Sequence, residues 1–263
     1  MKISDLRPAA LLRPLIDRYW SWENESQLPS MMLGTGSELM LHYGDRLCTP
    51  AQIPLARSFL ISPKTRRFTP QASGITGFIS VRFRAGALRH FCAIPVHEIV
   101  DQPLDIYDLW GNAGVELEDR ILHAVDMPSR LAVLDQFLLS MLQRYRKPER
   151  WLDRSFEQLY YRTASLDAVI AAAPVSLRSF QQTFKHNVGI SAKHFQKIAR
   201  FESVLRQLLL EKRSDYLGLA LDRGYFDQSH FIRDCREFTG QTPLGYLQER
   251  NFSAHFYNRP LAK

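Results

Sequence analysis

The chain has 263 residues, a formal net charge of +7, 45% hydrophobic residues and 23% charged ones; that length suits two ordinary domains, and the apolar fraction excludes disordered and fibrous classes. No run reaches the ~18–20 uncharged apolar residues of a bilayer crossing, and arginines interrupt the N-terminal apolar stretch where a signal peptide would be continuous. Cys48, Cys92 and Cys235 are scattered and odd in number, which suits a reducing cytoplasm rather than a disulfide framework.

Leu11, Leu12, Leu15, Ile16 and Tyr19 recur at three- and four-residue intervals, which predicts a short amphipathic helix. Residues 39–43, 57–61 and 77–83 are apolar or alternating runs bounded by Gly, Pro and Asp, and read as short strands of a β-sandwich or barrel. After residue 113 the period changes. Val115, Ile121, Leu122 and Val125 share one helical face, and a second helix follows Pro128-Ser129 with Leu131, Leu134, Leu138, Met141, Leu142 and Tyr145 on its apolar side. That side could pack on its own domain or against a helix of a second copy. Residues 146–150 are polar and proline-interrupted, as a linker is, so the division falls into residues 1–146 and 150–252.

Residues 1–149 hold 17 Lys and Arg against 16 Asp and Glu, whereas residues 150–263 hold 17 against 11. The positive excess therefore belongs to the second half, as in a nucleic-acid binder or a merely basic surface. There Ser165, Ser176, Ser191, Ser214 and Asp227 each precede an apolar-periodic stretch, as N-cap residues do. Helices are expected at about 151–162, 166–173, 177–187, 192–212, 215–223, 228–238 and 243–250. The region also repeats with an offset of 51 residues: Phe180 maps to Phe231, Lys185 to Arg236, Gly189 to Gly240, Ser191 to Thr242 and Phe195 to Tyr246. Each copy is a helix, a tight turn and a second helix stopped by glycine, which fits a helix-turn-helix unit or a duplicated αα-hairpin.

On these residues the second half resembles the C-terminal domain of the AraC/XylS family of transcriptional regulators. The match runs from Ala220 through Gly224-Tyr225-Phe226-Asp227-Gln228-Ser229, Phe231 and Arg233 to Arg236, Gly240, Thr242-Pro243 and Tyr246, and the resemblance covers about residues 150–250. Residues 1–145 are similar to the β-rich N-terminal domain of an uncharacterised branch of that family, through Tyr19-Trp20, Phe83-Arg84-Ala85-Gly86 and Leu109-Trp110-Gly111. The resemblance implies an α+β, two-domain protein. Its N-terminal domain would be a cupin-like β-rich sandwich or barrel with flanking helices, serving sensing or dimerisation. Its C-terminal domain would be all-α, with two helix-turn-helix subdomains joined by a long helix. The first unit departs from the family pattern: Ile170 replaces a usual Ala, Pro174 replaces the turn glycine, and Gln182 stands where many members have Arg.

Phe180 and Phe184, four apart, face inward, which sends Arg178, Gln181 and Gln182 outward to positions that reach base edges in the family. Arg pairs with guanine and Gln with adenine, each worth ~1–3 kcal/mol of discrimination. On the second helix Phe231 and Cys235 form the inner face, and Gln228, Ser229 and Arg233 match the outward set. Lys185, Lys193 and Arg236 suit phosphates, which position without reading sequence. Plainer roles stand beside these: Arg233 as a tie between helices, Gln181 and Gln182 as solvated surface, and Ser229 and His230 as caps or buttresses. The helix at 192–212 would span ~27–30 Å, so that both readers enter successive major grooves about one turn (~34 Å) apart.

His42, His90, His97 and His123 lack His-x-His or His-Glu-x-x-His spacing, and neither a phosphate-binding glycine loop nor a nucleophile elbow occurs. No enzyme activity, metal or cofactor is therefore expected. Arg66, Arg67, Arg82 and Arg84 could face an anionic ligand or be solvated strand positions, and Tyr19, Trp20, Trp22, Phe68, Phe83 and Trp110 read as core. The expected function is sequence-specific transcription regulation on double-stranded promoter DNA, with activation the anticipated sense and repression open. RNA polymerase, a small-molecule effector and a second copy forming a homodimer are the further candidate partners; a membrane is not. The alternative is a ligand-binding or interaction protein whose degenerate helix-turn-helix domain no longer reads bases.

Overall fold

The computed structural model describes residues 2–25, 34–63, 70–147, 149–211 and 216–246. Among the described residues eight strands come first: β1 (Lys2–Leu6), β2 (Ile16–Glu25), β3 (Glu38–His42), β4 (Leu47–Cys48), β5 (Ser58–Ile61), β6 (Gln71–Ala72), β7 (Thr76–Phe83) and β8 (Pro103–Asp105). Six of them form an antiparallel sheet in the order β1-β2-β7-β3-β5-β8, while β4 and β6 pair as a separate ribbon.

Both faces of the large sheet are covered, so its strands are apolar on both sides rather than alternating with polar residues. Leu39, Leu41, Leu60, Ile79 and Val81 pack toward the helices α1 (Ile106–Trp110), α2 (Asn112–His123) and α3 (Met127–Tyr145). Trp20, Trp22, Met40, Phe59, Ile61 and Phe78 pack on the other face with Leu47 of β4 and Leu55. The ribbon side thus supplies the second β layer. Cys48, Cys92 and Cys235 are buried and unbridged, and burial pushes the Cys92 and Cys235 thiols up to about 11.

The amphipathic helix expected near the N-terminus does not form. Residues 9–16 make successive tight turns, with Leu12 N–H donating to the Ala9 carbonyl at 2.9 Å and Ile16 N–H to that of Leu12 at 2.8 Å. Pro14 would interrupt a helix there, because it lacks a donor and crowds the preceding turn. Ile16 and Tyr19 lie on β2 instead. The register shifts between Ile16↔Phe83 and Arg18↔Arg82, a bulge that inserts Asp17 and brings Ile16 and Tyr19 into the same core. Their three-residue spacing, helical to the eye, is the trace of that bulge.

The second half folds into α4 (Arg150–Tyr161), α5 (Leu166–Ala172), α6 (Leu177–Val188), α7 (Ala192–Glu211), α8 (Tyr216–Asp222), α9 (Gln228–Thr239) and α10 (Pro243–Tyr246). The expected caps at Ser165, Ser176, Ser191 and Asp227 each accept a backbone N–H three residues on. Ser214, residues 212 and 215 and residues 247–250 of the expected helices lie outside the described residues. One aromatic core, including Phe156, Phe180, Phe184, Phe195, Phe201 and Phe231, unites these helices.

Buried charge ties the two halves together. Arg89 donates to the Glu149 carboxylate at 3.0 Å and to Asp153 at 3.0 Å, and His90 Nε2 lies 3.0 Å from Asp153. Lys147 N–H donates to His90 Nδ1 at 3.1 Å, so the polar junction is pinned from both sides. Arg82 on β7 lies 3.6 Å from Glu202 in the middle of α7, and the Thr35 hydroxyl donates to the same carboxylate at 2.9 Å. Arg84 donates to the Arg13 carbonyl at 3.1 Å and to the Tyr161 hydroxyl at 3.2 Å. Arg82 is therefore a largely buried contact between the halves, and Arg84 joins them from a partly solvated position; Arg66, Arg67 and Phe68 lie outside the described residues.

Candidate nucleic-acid interface

Each helix-turn-helix unit solves its turn differently. In the first, α5 ends at Ala173, which is extended (φ −75°, ψ 139°), the conformation that a following Pro174 favours. Val175 packs partly buried on the core and Ser176 caps α6. In the second, Gly224 adopts φ +79°, and Tyr225 N–H donates to the Ala220 carbonyl at 3.0 Å. A Cβ at Gly224 would stand 2.9 Å from the Arg162 guanidinium, in a backbone region that side chains disfavour. Asp227 then caps α9 by accepting the His230 N–H at 2.7 Å. The proline departure thus changes the shape of the turn without removing it, and Ile170 is accommodated half-buried against the same core.

Phe180 and Phe184 of α6, and Phe231 and Cys235 of α9, are fully buried. Arg178, Gln181, Gln182 and Lys185 on α6 are exposed, as are Gln228, Ser229, Arg233 and Arg236 on α9 and Lys193 in the first turn of α7. The sequence-derived residues of α6 and α9 therefore fall on two outward helix faces, one per unit. Among the described residues Arg233 makes no side-chain hydrogen bond or ion pair. The buttressing role falls to Arg200 of α7. Its guanidinium lies 4.5 Å from the Tyr225 ring centroid, 3.4 Å from the Gly224 carbonyl oxygen, 3.3 Å from His230 Nε2 and 3.7 Å from Asp234.

Sequence reasoning missed Asp234, a buried carboxylate on the inner side of α9 that also meets Lys197 at 3.3 Å. Two signals were present. Asp234 follows Phe231 by one helical turn, which turns it inward, and Lys197 and Arg200 are three apart on one face of α7. Burial and the Asp234 carboxylate together push the Tyr225 hydroxyl above its usual range. The interface is thus positioned by charge behind it and offers charge in front.

The four histidines of the first half do not gather into one cluster. His42 is buried in the sheet with Nδ1 2.8 Å from the Arg57 carbonyl, and burial pulls its pKa down to about 4. His90 serves the junction, His123 lies on α2 beside Asp119, and the His97 ring faces His186 of α6 with centroids 5.3 Å apart. No described helix is long and apolar enough to cross a membrane.

Residues 169–249 match the family described as a helix-turn-helix domain, a span running from α5 to just beyond α10. The C-terminal domain is a helix-turn-helix domain of the AraC type. With it, the chain is a DNA-binding transcription regulator. Residues 4–105, the strand-rich part, match a domain of unknown function, DUF6597. No curated protein matches. Among solved structures the chain is similar to ToxT from Vibrio cholerae in a P21 crystal form, at 9% identity and a TM-score of 0.48, covering 87% of this chain and 97% of that one. A second ToxT structure, from V. cholerae O395 bound to (E)-4-(8-methylnaphthalen-1-yl)but-3-enoic acid, gives 7% identity and a TM-score of 0.48 over 94% and 98% of the two chains.

Proposed function

We propose that this AraC-type regulator recognises a specific promoter sequence with α6 and α9 in successive major grooves of double-stranded DNA. The supporting observation is the separation of faces: six candidate base readers and three candidate phosphate contacts are exposed on α6, α9 and the start of α7, while the opposite faces carry the core. Arg178, Gln181 and Gln182 read bases from α6, and Gln228, Ser229 and Arg233 from α9. Lys185, Lys193 and Arg236 hold phosphates. Between the readers, the 20 residues of α7 amount to ~30 Å at 1.5 Å each, close to the ~34 Å of one DNA turn. Residues 150–252 form the reading domain in this proposal. Residues 1–146 govern it by taking a small effector or by pairing two copies, and RNA polymerase is the downstream partner.

The test begins with selection of duplexes from a random library by the full-length protein. Binding is then followed by fluorescence anisotropy against a scrambled duplex at two salt concentrations. A preference of ~10³-fold or more that survives moderate salt is the expected outcome. Equal, steeply salt-sensitive binding to all duplexes would reduce the interaction to counterion release and overturn the proposal.

A further inference from the structure

Phe226 stands one residue ahead of the α9 cap Asp227 and is 88% exposed, between the buried Tyr225 and the outward Gln228. An apolar residue at that position commonly folds back onto the fourth helical residue and fixes the entry of the chain. That residue is Phe231 here, and it lies in the core, fully buried, without Phe226 to cover it. The first unit does the opposite: its equivalent, Val175, is partly buried against the core that holds Phe180. The fold therefore does not use the Phe226 ring. Nor is the ring on a loose loop. Gly224 at φ +79°, the Tyr225 N–H to Ala220 carbonyl bond of 3.0 Å and the Asp227 cap of 2.7 Å fix the backbone on both sides of it.

The N-terminal end of a recognition helix is the part that meets base edges, and the C5-methyl of thymine is the bulky apolar group that the major groove presents. We propose that Phe226 is a further specificity-determining residue, which packs its ring on a thymine methyl at the α9 half-site. This rests on the reading of α9 as a major-groove reader. It adds a thymine requirement to the site that Gln228, Ser229 and Arg233 share, and the first unit has no counterpart.

The test uses the duplex selected by the full-length protein and replaces each thymine in turn by deoxyuridine, which removes only the methyl group. Wild type and Phe226→Ala are titrated against the whole set. One replacement in one half-site should weaken wild-type binding about fourfold, the equivalent of ~0.8 kcal/mol for one buried methyl. Phe226→Ala should bind the parent duplex about fourfold more weakly and be indifferent to that same replacement. Because the ring is exposed, the variant should keep the wild-type melting temperature. Wild-type indifference to every replacement would overturn the assignment, as would equal sensitivity in Phe226→Ala. Either result leaves a specific duplex in hand, whereas failure to select any duplex strikes the reading of α9 itself.

Discussion

Arg233 and Lys185 are both exposed cations on recognition helices, and the proposed roles separate them by what each should change. Arg233→Ala should cost ~1–3 kcal/mol at the selected site and relax the base preference at one position. Lys185→Ala should weaken all duplexes alike and lower the salt slope by about one counterion. Anisotropy titrations on matched and single-mismatch duplexes distinguish the two outcomes. His42 gives a prediction of another kind. Its folded pKa of about 4 lies below the ordinary 6.5, so the fold holds the neutral ring. Below pH 6.5 the unfolded chain takes up a proton that the folded chain refuses, and stability falls toward pH 4. The loss by pH 4 should reach up to ~3 kcal/mol, while above about pH 8 His42 contributes almost no slope. His42→Gln should flatten that limb in urea titrations followed by tryptophan fluorescence. The inward and outward residues of α6 and α9 were legible because helical spacing assigns faces. His42 was not, since a lone histidine at the end of an apolar strand carries no sign of which groups enclose it.

At the level of elements, both turns should lose stability on substitution, each for its own reason. Gly224→Ala places a Cβ at φ +79° beside Arg162 and should destabilise by ~1–2 kcal/mol. Pro174→Gly leaves the folded turn intact, loosens the unfolded chain and should cost ~0.5–1 kcal/mol. Thermal unfolding of the two variants beside wild type checks both. The caps, the glycine stops and the seven helices of the second half over the described residues could be read directly, because capping and termination are local chemistry. Where the reading failed, at Ile16 and Tyr19, a β-bulge imitated helical spacing. Periodicity counts residues along one strand. It cannot count the residues of the partner strand that decide where the extra one goes.

In the whole molecule, the Arg82–Glu202 pair joins the sheet to the helix between the two readers. Burial pushes the Glu202 carboxyl up, and Arg82 with the Thr35 hydroxyl opposes that push. Arg82→Ala should therefore cost ~3–5 kcal/mol, because it strands a charge that the fold has already dehydrated. Replacing the pair together, Arg82→Met with Glu202→Leu, should recover most of the loss. Calorimetry of the two variants would show it, and equal damage in both would mean that the pair acts through something other than its charge. This junction was invisible in the sequence. Arg82 and Glu202 are 120 positions apart, and no local pattern relates a strand arginine to a carboxylate in the middle of a distant helix.

The three buried thiols carry a practical consequence. Cys92 and Cys235, with pKa values pushed up to about 11, hold almost no thiolate at neutral pH, and Cys48 is enclosed as well. Alkylating reagents should label the native protein slowly and the urea-unfolded protein fully, in step with unfolding. The protein can then be handled in air without reductant. Any pairing of chains seen under those conditions is held by surfaces rather than by sulfur, and mild peroxide should leave DNA binding as it was.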